Sequence, residues 1–499
     1  MDRGHGVQAG RGQLIWALVA LTIAMAIVPL FLVTYPPLQD LPNHLARIVV
    51  LTAPPKHAIH KFYEIRWGII PNLSLDLILI ALGTIMPLAL ASKLVVGLCM
   101  AGWVVAPMVL HYAVFKQLSA LPLIGTLFLF NQVLRFGLLN FMFGSVLVAL
   151  ALATWILLED RPLRTRIVVA IAMAVVLFFT HLLISAIFII AVGIWELLRP
   201  RSSAPPIADR IALLAAVMLP ALLLYVVSPH ETFNNAPPSY NIGQFWPDFF
   251  ASKAGRMASF VPAGPARGLL FMYIFAGIGI WSARTASSRR DSRLALICLA
   301  VFLSFLVMPF AMMDGQNLDW RLLAPFVLFT SASLSFDLKR LPAIALAAVF
   351  VVSMASQITS NVRIWTAGES NYRDYAVATS SLPAGSRLFH ALIGIREGVV
   401  PNAPPILHLP DLAVLERGAA VVSLFAIPTQ QPIRLRDGLR ERYASVGAGS
   451  RLTVDDVDWP TVRRDFDYVL LSTLEPVSPP PDIIEVKTAG YFHLYRVTH

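Results

Sequence analysis

The chain has 499 residues, of which 57% are hydrophobic and 14% charged, and its mean hydropathy is +0.69. Soluble proteins are about 25% charged, so this composition indicates an integral membrane protein. The net charge of +10 does not point to nucleic acid, because the basic residues lie between apolar runs rather than on one soluble module. Cys99 and Cys298 lie in apolar runs, which argues against a disulfide framework and a Cys-based zinc site.

The first apolar run, 14–34, follows Arg3 and Arg11 and is long enough to span a bilayer. It is longer than the apolar core of a signal peptide, and no small-residue cleavage site follows it. We therefore expect a retained first helix. Apolar runs recur along the chain as candidate spans at 14–34, 94–115, 120–134, 137–158, 167–181, 182–198, 208–228, 267–283, 294–313, 321–337 and 341–358.

A further apolar run, 72–91, is interrupted by Asp76. If this run crossed the membrane, the Lys and Arg clusters of the later connections would move to the outer face, against the positive-inside rule. We therefore predict that 72–91 is interfacial or re-entrant and that the chain makes about eleven crossings. The N-terminus is then cytoplasmic, and the C-terminal region lies on the outer side of the membrane.

The composition becomes that of a soluble protein after about residue 360. Alternating apolar residues predict strands at 387–392, 419–425, 468–472 and 492–497. A short helix is predicted separately at 372–381. The predicted fold is an all-α polytopic membrane protein with a small α/β C-terminal extramembrane domain. Its predicted domains are a transmembrane domain, 1–360, with outer loops 35–71 and 228–267, and a periplasmic domain, 361–499.

The sequence contains no P-loop, Gly-rich dinucleotide motif, H-E-x-x-H or Gly-x-Ser-x-Gly elbow. Polar residues at the outer helix ends are therefore the candidates for chemistry. Asp40, His44 and Arg47 follow the first apolar run. If Asp40 caps a helix that begins near Pro42, His44 and Arg47 lie on neighbouring turns. The alternative is that Asp40 is only a cap in a solvated interfacial turn.

Three later positions fall on the same predicted face. Segment 131–140 carries Arg135, His181 lies between two apolar runs, and Asp319 and Arg321 flank a turn. Taken singly, His181 could bond only backbone, the arginines could snorkel to the interface and Asp319 could be a helix cap. Taken together, a carboxylate for general-base work and arginines for a phosphate suit a lipid-linked phosphate substrate.

This arrangement resembles the GT-C class of membrane glycosyltransferases, which includes protein O-mannosyltransferases and bacterial lipid A aminoarabinose transferases. The shared features are an acidic residue just after the first helix (Asp40), a Pro-rich segment later in that loop, a late basic turn before Pro325, and an outer C-terminal domain. The pattern at 136–141 is similar to uncharacterised bacterial members. The Asp-Glu pair common in the class is absent, because Gln39 and Leu41 flank Asp40.

The resemblance implies an inverting transfer of a sugar from a polyprenyl-phosphate donor to a glycan, lipid or protein acceptor at the outer face of the inner membrane. It implies that Asp40 acts as base or metal ligand and that Arg321 lies near the donor phosphate. His44 and Arg47 are proposed on proximity alone. No cofactor is indicated with certainty, and a divalent metal stays open. Two other functions stay open: a transporter or lipid flippase, and a non-catalytic envelope assembly protein.

Overall fold

The structure is a computed structural model. It describes residues 2–200, 205–230, 246–261, 277, 289–312, 315–336, 340–394, 406–427, 429–436, 438–439, 450–451, 453–473 and 477–498. The predicted span at 267–283 lies outside the described residues except for Gly277.

Long helices form the body of the protein. Several start directly after a proline, Pro87, Pro162 or Pro206, whose fixed φ is compatible with a helix start and whose missing N–H costs nothing there. The described helices of the body are α1 (Asp2–Ile27), α2 (Leu41–Thr52), α3 (Ser74–Gly83), α4 (Leu88–Phe115), α5 (Gln132–Arg135), α6 (Leu139–Leu157), α7 (Leu163–Thr180), α8 (Leu182–Leu197), α9 (Ile207–Val227), α10 (Trp246–Ala258), α11 (Ser292–Val307), α12 (Leu318–Ser333) and α13 (Arg340–Ala378).

Six helices in the described part of the chain are long and apolar enough to cross a membrane. This confirms the polytopic helical fold, while the count of about eleven crossings stays a prediction. Helix α3, in the segment 72–91, has only ten residues and rises about 15 Å. It is therefore too short to cross a hydrocarbon core of about 30 Å by itself.

The predicted span at 120–134 is not one continuous helix. It consists of a 3-10 helix, Leu121–Phe128, followed by the short α5. Pro122 lies at the start of the 3-10 helix, and the side chain of Asn131 accepts a hydrogen bond from Leu134 N at 3.1 Å. The Asn131 cap starts a new helix within the apolar run, so apolar composition alone overestimated the continuity of this segment.

Polar contacts at one end of the bundle join residues from several connections. Arg166 of α7 donates to Glu196 of α8 at 2.6 Å, and Arg293 of α11 lies 3.4 Å from Glu159 after α6. All four belong to connections that the charge distribution assigns to the cytoplasm. The candidate site residues meet at the opposite end. The alternation of the helices thus agrees with the predicted sides, and the absolute orientation stays a prediction.

Helix α13 has 39 residues and runs through the predicted domain boundary at residue 360. Beyond it, the described residues form two short α-helices, α14 (Leu412–Arg417) and α15 (Trp459–Asp465), and a mixed sheet. Predicted strands 387–392, 468–472 and 492–497 are confirmed, whereas 419–425 reduces to two residues and Ile483–Ala489 was not predicted. The strands of this region are β2 (Arg387–Ile393), β3 (Ala420–Val421), β4 (Ile433–Leu435), β5 (Ser450–Arg451), β6 (Tyr468–Thr473), β7 (Ile483–Ala489) and β8 (Phe492–Val497).

The sheet has the order β3-β2-β6-β8-β7, and β5 also pairs with β2. Strand β4 pairs instead with β1 (Tyr63–Ile65) of the first outer loop, antiparallel and in the register Tyr63 to Leu435. Buried Leu388 and Leu412 belong to the same apolar core as Leu41 of α2. The C-terminal region therefore shares part of its apolar core and part of its backbone pairing with the first loop.

Candidate active site

Asp40 is the residue that immediately precedes α2. Pro42 lies in the first turn, as predicted, but the Asp40 side chain makes no capping hydrogen bond to that helix. Its carboxylate Oδ1 lies 3.8 Å from Nε2 of His408, and the side chain is 15% exposed. Asp40 also acts electrostatically on Arg321 of α12. The interpretation of Asp40 as only a helix cap therefore does not hold in this structure.

The turn between α5 and α6 fixes the backbone of Asp40. The amide N–H of Asp40 donates to the carbonyl of Phe136 at 2.9 Å, and that of Gln39 donates to the carbonyl of Arg135 at 3.0 Å. Gly137 has φ +74°, and a Cβ there would lie 2.9 Å from Asp40 N. Only glycine meets both requirements easily. The segment around Asp40 and the segment 131–140, both singled out in the sequence, are thus in contact.

Arg135 ends α5 at this turn, with its side chain half-buried. The turn is held on its other side by Asn140. The Asn140 side chain donates to the carbonyl of Asn72 at 2.9 Å and accepts from Leu75 N at 3.3 Å. The segment 131–140 therefore connects the first outer loop, the start of α3 and α6.

Arg47 lies in a buried ion pair. Its Nε and Nη2 donate to the two carboxylate oxygens of Asp76 at 3.0 and 2.7 Å, and both side chains are almost fully buried. Such a two-point contact is the strong geometry for arginine and carboxylate. Arg47 therefore joins α2 to α3, and the Asp76 that interrupted an apolar run is its partner.

His44 lies between this ion pair and the Gly137 turn. Nη2 of Arg47 lies 2.7 Å from Nδ1 of His44, so that nitrogen accepts. The imidazole also bonds the backbone of Gly137. Burial, and then the charge of Arg47, lower the pKa of His44 to about 3. His44 is therefore a neutral side chain that ties α2 to the turn supporting Asp40.

Arg321 and His181 form a second polar pair at the same end of the bundle. Nη1 of Arg321 lies 3.0 Å from Nε2 of His181, while Nδ1 of His181 accepts from Leu183 N at 3.1 Å. A neutral imidazole accepts at only one nitrogen, so this ring cannot accept from both donors. Nε of Arg321 is buried and has no hydrogen-bond partner among the described residues. The pair has donor capacity for an anion.

Asp319 lies near Arg321 in sequence but in a different environment. Its carboxylate is 3.0 Å from Nζ of Lys253 and 3.7 Å from Nε of Arg256, and it accepts from Trp320 N at 2.9 Å. Both cations belong to α10, within the predicted outer loop 228–267. Asp319 is 2% exposed. Its contacts thus fix α10 against the start of α12.

Sequence reasoning missed His408 and Asp411, which enter the site from the C-terminal domain. The side chain of Asn43, next to the singled-out residues of α2, donates to Oδ2 of Asp411 at 2.9 Å. Residues 406–411 form a short turn ahead of α14. No periodicity or motif marks these residues, because their neighbours in space lie more than 360 positions away in sequence.

The donor set around Asp40 does not fit a divalent cation. The neighbours given for its carboxylate are His408 at 3.8 Å and, through electrostatics, the guanidinium of Arg321, and the described residues contain no group of three or more His, Cys, Asp or Glu side chains that could hold a metal ion. Divalent cations of the magnesium and calcium type need several oxygen ligands. We therefore derive no step through a metal.

Comparison with solved structures shows the fold. The crystal structure of ArnT from Cupriavidus metallidurans bound to undecaprenyl phosphate aligns over 97% of this chain and 98% of ArnT, with a TM-score of 0.53 and 12% identity. The mycobacterial arabinofuranosyltransferase AftD aligns over 98% of this chain and 41% of its own, with a TM-score of 0.45 and 14% identity. No known family model and no curated protein sequence matches the chain. The likeness to ArnT is one of fold, and it agrees with the predicted architecture of a polytopic helical body with a small C-terminal α/β region.

Proposed function

We propose that this protein is a GT-C-type glycosyltransferase. It moves a sugar from a polyprenyl-phosphate donor to an acceptor hydroxyl at the outer face of the inner membrane. The observation that carries this proposal is the Asp40 carboxylate. It stands at a helix start without capping the helix, in a backbone position fixed by the Gly137 turn, and within electrostatic reach of Arg321. The fold likeness to ArnT, which was solved with undecaprenyl phosphate, supports the choice of lipid carrier.

Each side chain has one role in the proposed reaction. Asp40 takes the proton from the acceptor hydroxyl while that oxygen forms a bond to the anomeric carbon. The bond from that carbon to the phosphate oxygen breaks, and its electron pair leaves with the polyprenyl phosphate. Arg321 stabilises the phosphate charge in the transition state, and His181 completes the anion contact. A single displacement of this kind inverts the anomeric configuration.

The other predicted residues hold the elements that carry the proposed site. Arg47 and His44 are engaged with Asp76 and with the Gly137 turn, and Asp319 is engaged with α10. Their contacts fix the elements that carry Asp40 and Arg321. We therefore propose that His44, Arg47 and Asp319 act on substrate binding through the geometry of these elements, while Arg135 lies at the turn itself.

The substitution Asp40→Asn tests the proposal. It keeps the size of the side chain but removes its charge, so we expect transfer to fall about 10²- to 10⁴-fold with unchanged expression. The assay presents undecaprenyl-phosphate pentoses and hexoses to the protein in proteoliposomes with native membrane extract as acceptor. Asp455→Asn is the matched control, because it is the same change at an exposed aspartate of the C-terminal region. Near-normal turnover by a well-expressed Asp40→Asn protein would contradict the proposal and favour a transporter or assembly protein.

A further inference from the structure

His408 brings the C-terminal domain into direct contact with the proposed catalytic carboxylate. Its Nε2 lies 3.8 Å from Oδ1 of Asp40, and its Nδ1 lies 3.2 Å from Oδ2 of Asp411. The imidazole is 6% exposed and packs edge-on against the ring of Phe425, with 4.8 Å between the ring centroids. His408 therefore lies between two carboxylates, one from each domain.

Asp411 is held in place as the acceptor that orients this ring. Its side chain is completely buried. It accepts hydrogen bonds from Nδ2 of Asn43 at 2.9 Å and from Oγ of Ser423, in addition to the contact with His408. The ring of His408 is thereby fixed with Nδ1 toward Asp411 and Nε2 toward Asp40.

The charges around His408 favour the doubly protonated ring. Asp411 and Asp40 face its two nitrogens, whereas His390 and the neutral His44 are the imidazoles close enough to act on it electrostatically. Arg321 faces Asp40 from α12. A neutral ring presents an N–H to only one of the two carboxylates, while an imidazolium presents one to each.

We infer that His408, held by Asp411, is a positioning residue that aims the Asp40 carboxylate and keeps it ionised, so that the C-terminal domain completes the active site. This inference rests on the proposed function. The imidazolium does not exchange a proton with the acceptor. It fixes the carboxylate that does, and its charge favours the ionised form of Asp40.

The test compares His408→Gln with His390→Gln in the full-length protein. His390 is also buried in the C-terminal domain, at 4% exposed, but it bonds Oγ of Ser472 at 3.1 Å and glutamine can keep that bond. We expect His408→Gln to lower kcat/KM for transfer about 10- to 100-fold, as loss of an orienting partner does, and His390→Gln to leave it near normal. If His408→Gln folds poorly, His408→Asn is used in its place.

Two further readouts separate positioning from a structural role. If His408 acts through Asp40, His408→Gln should have little additional effect in an Asp40→Asn background. The acid limb of the pH–rate profile should also move to higher pH, because loss of a nearby positive charge raises the pKa of Asp40.

Transfer by His408→Gln equal to that of His390→Gln would overturn the inference, as would an equal loss in both Asp40 backgrounds. If Asp40→Asn is inactive in that case, only this inference fails. Near-normal transfer by Asp40→Asn would overturn the proposed function and the inference with it.

Discussion

Three aspartates of the described chain show how surroundings decide what a carboxylate does. Asp76 is committed to Arg47, and Asp319 to Lys253 and Arg256. A buried carboxylate with a fixed cation stabilises packing, and breaking such a pair costs about 3–5 kcal/mol. Asp40 instead faces a histidine from another domain and an arginine whose donors are incompletely used. Its residue type and its place after the first helix were readable from the sequence. The ion pairs of Asp76 and Asp319 could not be predicted, because their partners lie 29 and 66 positions away in sequence.

At the same scale, Arg321 can be tested without knowing the sugar. We expect Arg321→Gln to weaken binding of undecaprenyl phosphate to the purified protein about tenfold or more, because a charge-assisted contact to phosphate is lost. Arg373→Gln is the control, because the Arg373 side chain is 75% exposed and lies at the end of α13. Equal affinities for the two variants, measured by native mass spectrometry or fluorescence titration, would remove Arg321 from the phosphate site.

The short turn 136–138, between α5 and α6, is the element on which the site depends. It carries the Phe136 carbonyl that accepts from the Asp40 amide and the glycine that lies against that amide, and Arg135 just before it supplies the carbonyl that accepts from Gln39. The sequence showed a break in a long apolar run but not what the break contacts. Continuous helices were easier to predict, since their apolar runs and preceding prolines are local signals. The same local signals failed at 120–134, where the Asn131 cap divides the run.

Gly137→Ala tests this element. A Cβ would be strained at φ +74° and would lie 2.9 Å from Asp40 N, so the turn must move away from Asp40. We expect the free energy of unfolding to fall by about 1–3 kcal/mol. We expect the rate of transfer to fall by more than this loss of stability would cause, because Asp40 shifts with the turn. Gly193→Ala in α8 is the control, since nothing lies within 4 Å of a Cβ there. A Gly137→Ala protein with normal transfer would show that Asp40 does not depend on this turn.

At the scale of the whole molecule, the C-terminal region and the first outer loop are joined by strand pairing and by a shared part of the apolar core. Strand β4 pairs with β1, and the hydroxyl of Tyr63 donates to the carbonyl of Val421. The sequence predicted a mixed α/β region that is long enough to form a domain, because the alternation of apolar residues along a strand is a local signal. The shared core could not be predicted, since it joins residues separated by several hundred positions. His408 therefore lies beside Asp40 only when the domain is docked on α2.

Asn43 provides the means to test that docking in the intact protein. It is completely buried, and its amide donates to Oδ2 of Asp411 at 2.9 Å and to the carbonyl of Ser423 at 3.0 Å, while its oxygen accepts from Phe425 N at 3.0 Å. Asn43→Ala leaves three buried groups without this partner, each at a cost of about 1–3 kcal/mol.

We therefore expect Asn43→Ala to increase hydrogen exchange in β1 and β4 and to lower transfer, while exchange in α4 and α6 stays unchanged. Asn361→Ala is the matched control, because Asn361 bonds only the carbonyl of Gln357 within its own helix among its described contacts. Hydrogen exchange in β1 and β4 that is the same in both variants would show that the domain stays docked without Asn43. In that event the pairing of β1 with β4 and the shared apolar core would be sufficient to hold His408 beside Asp40.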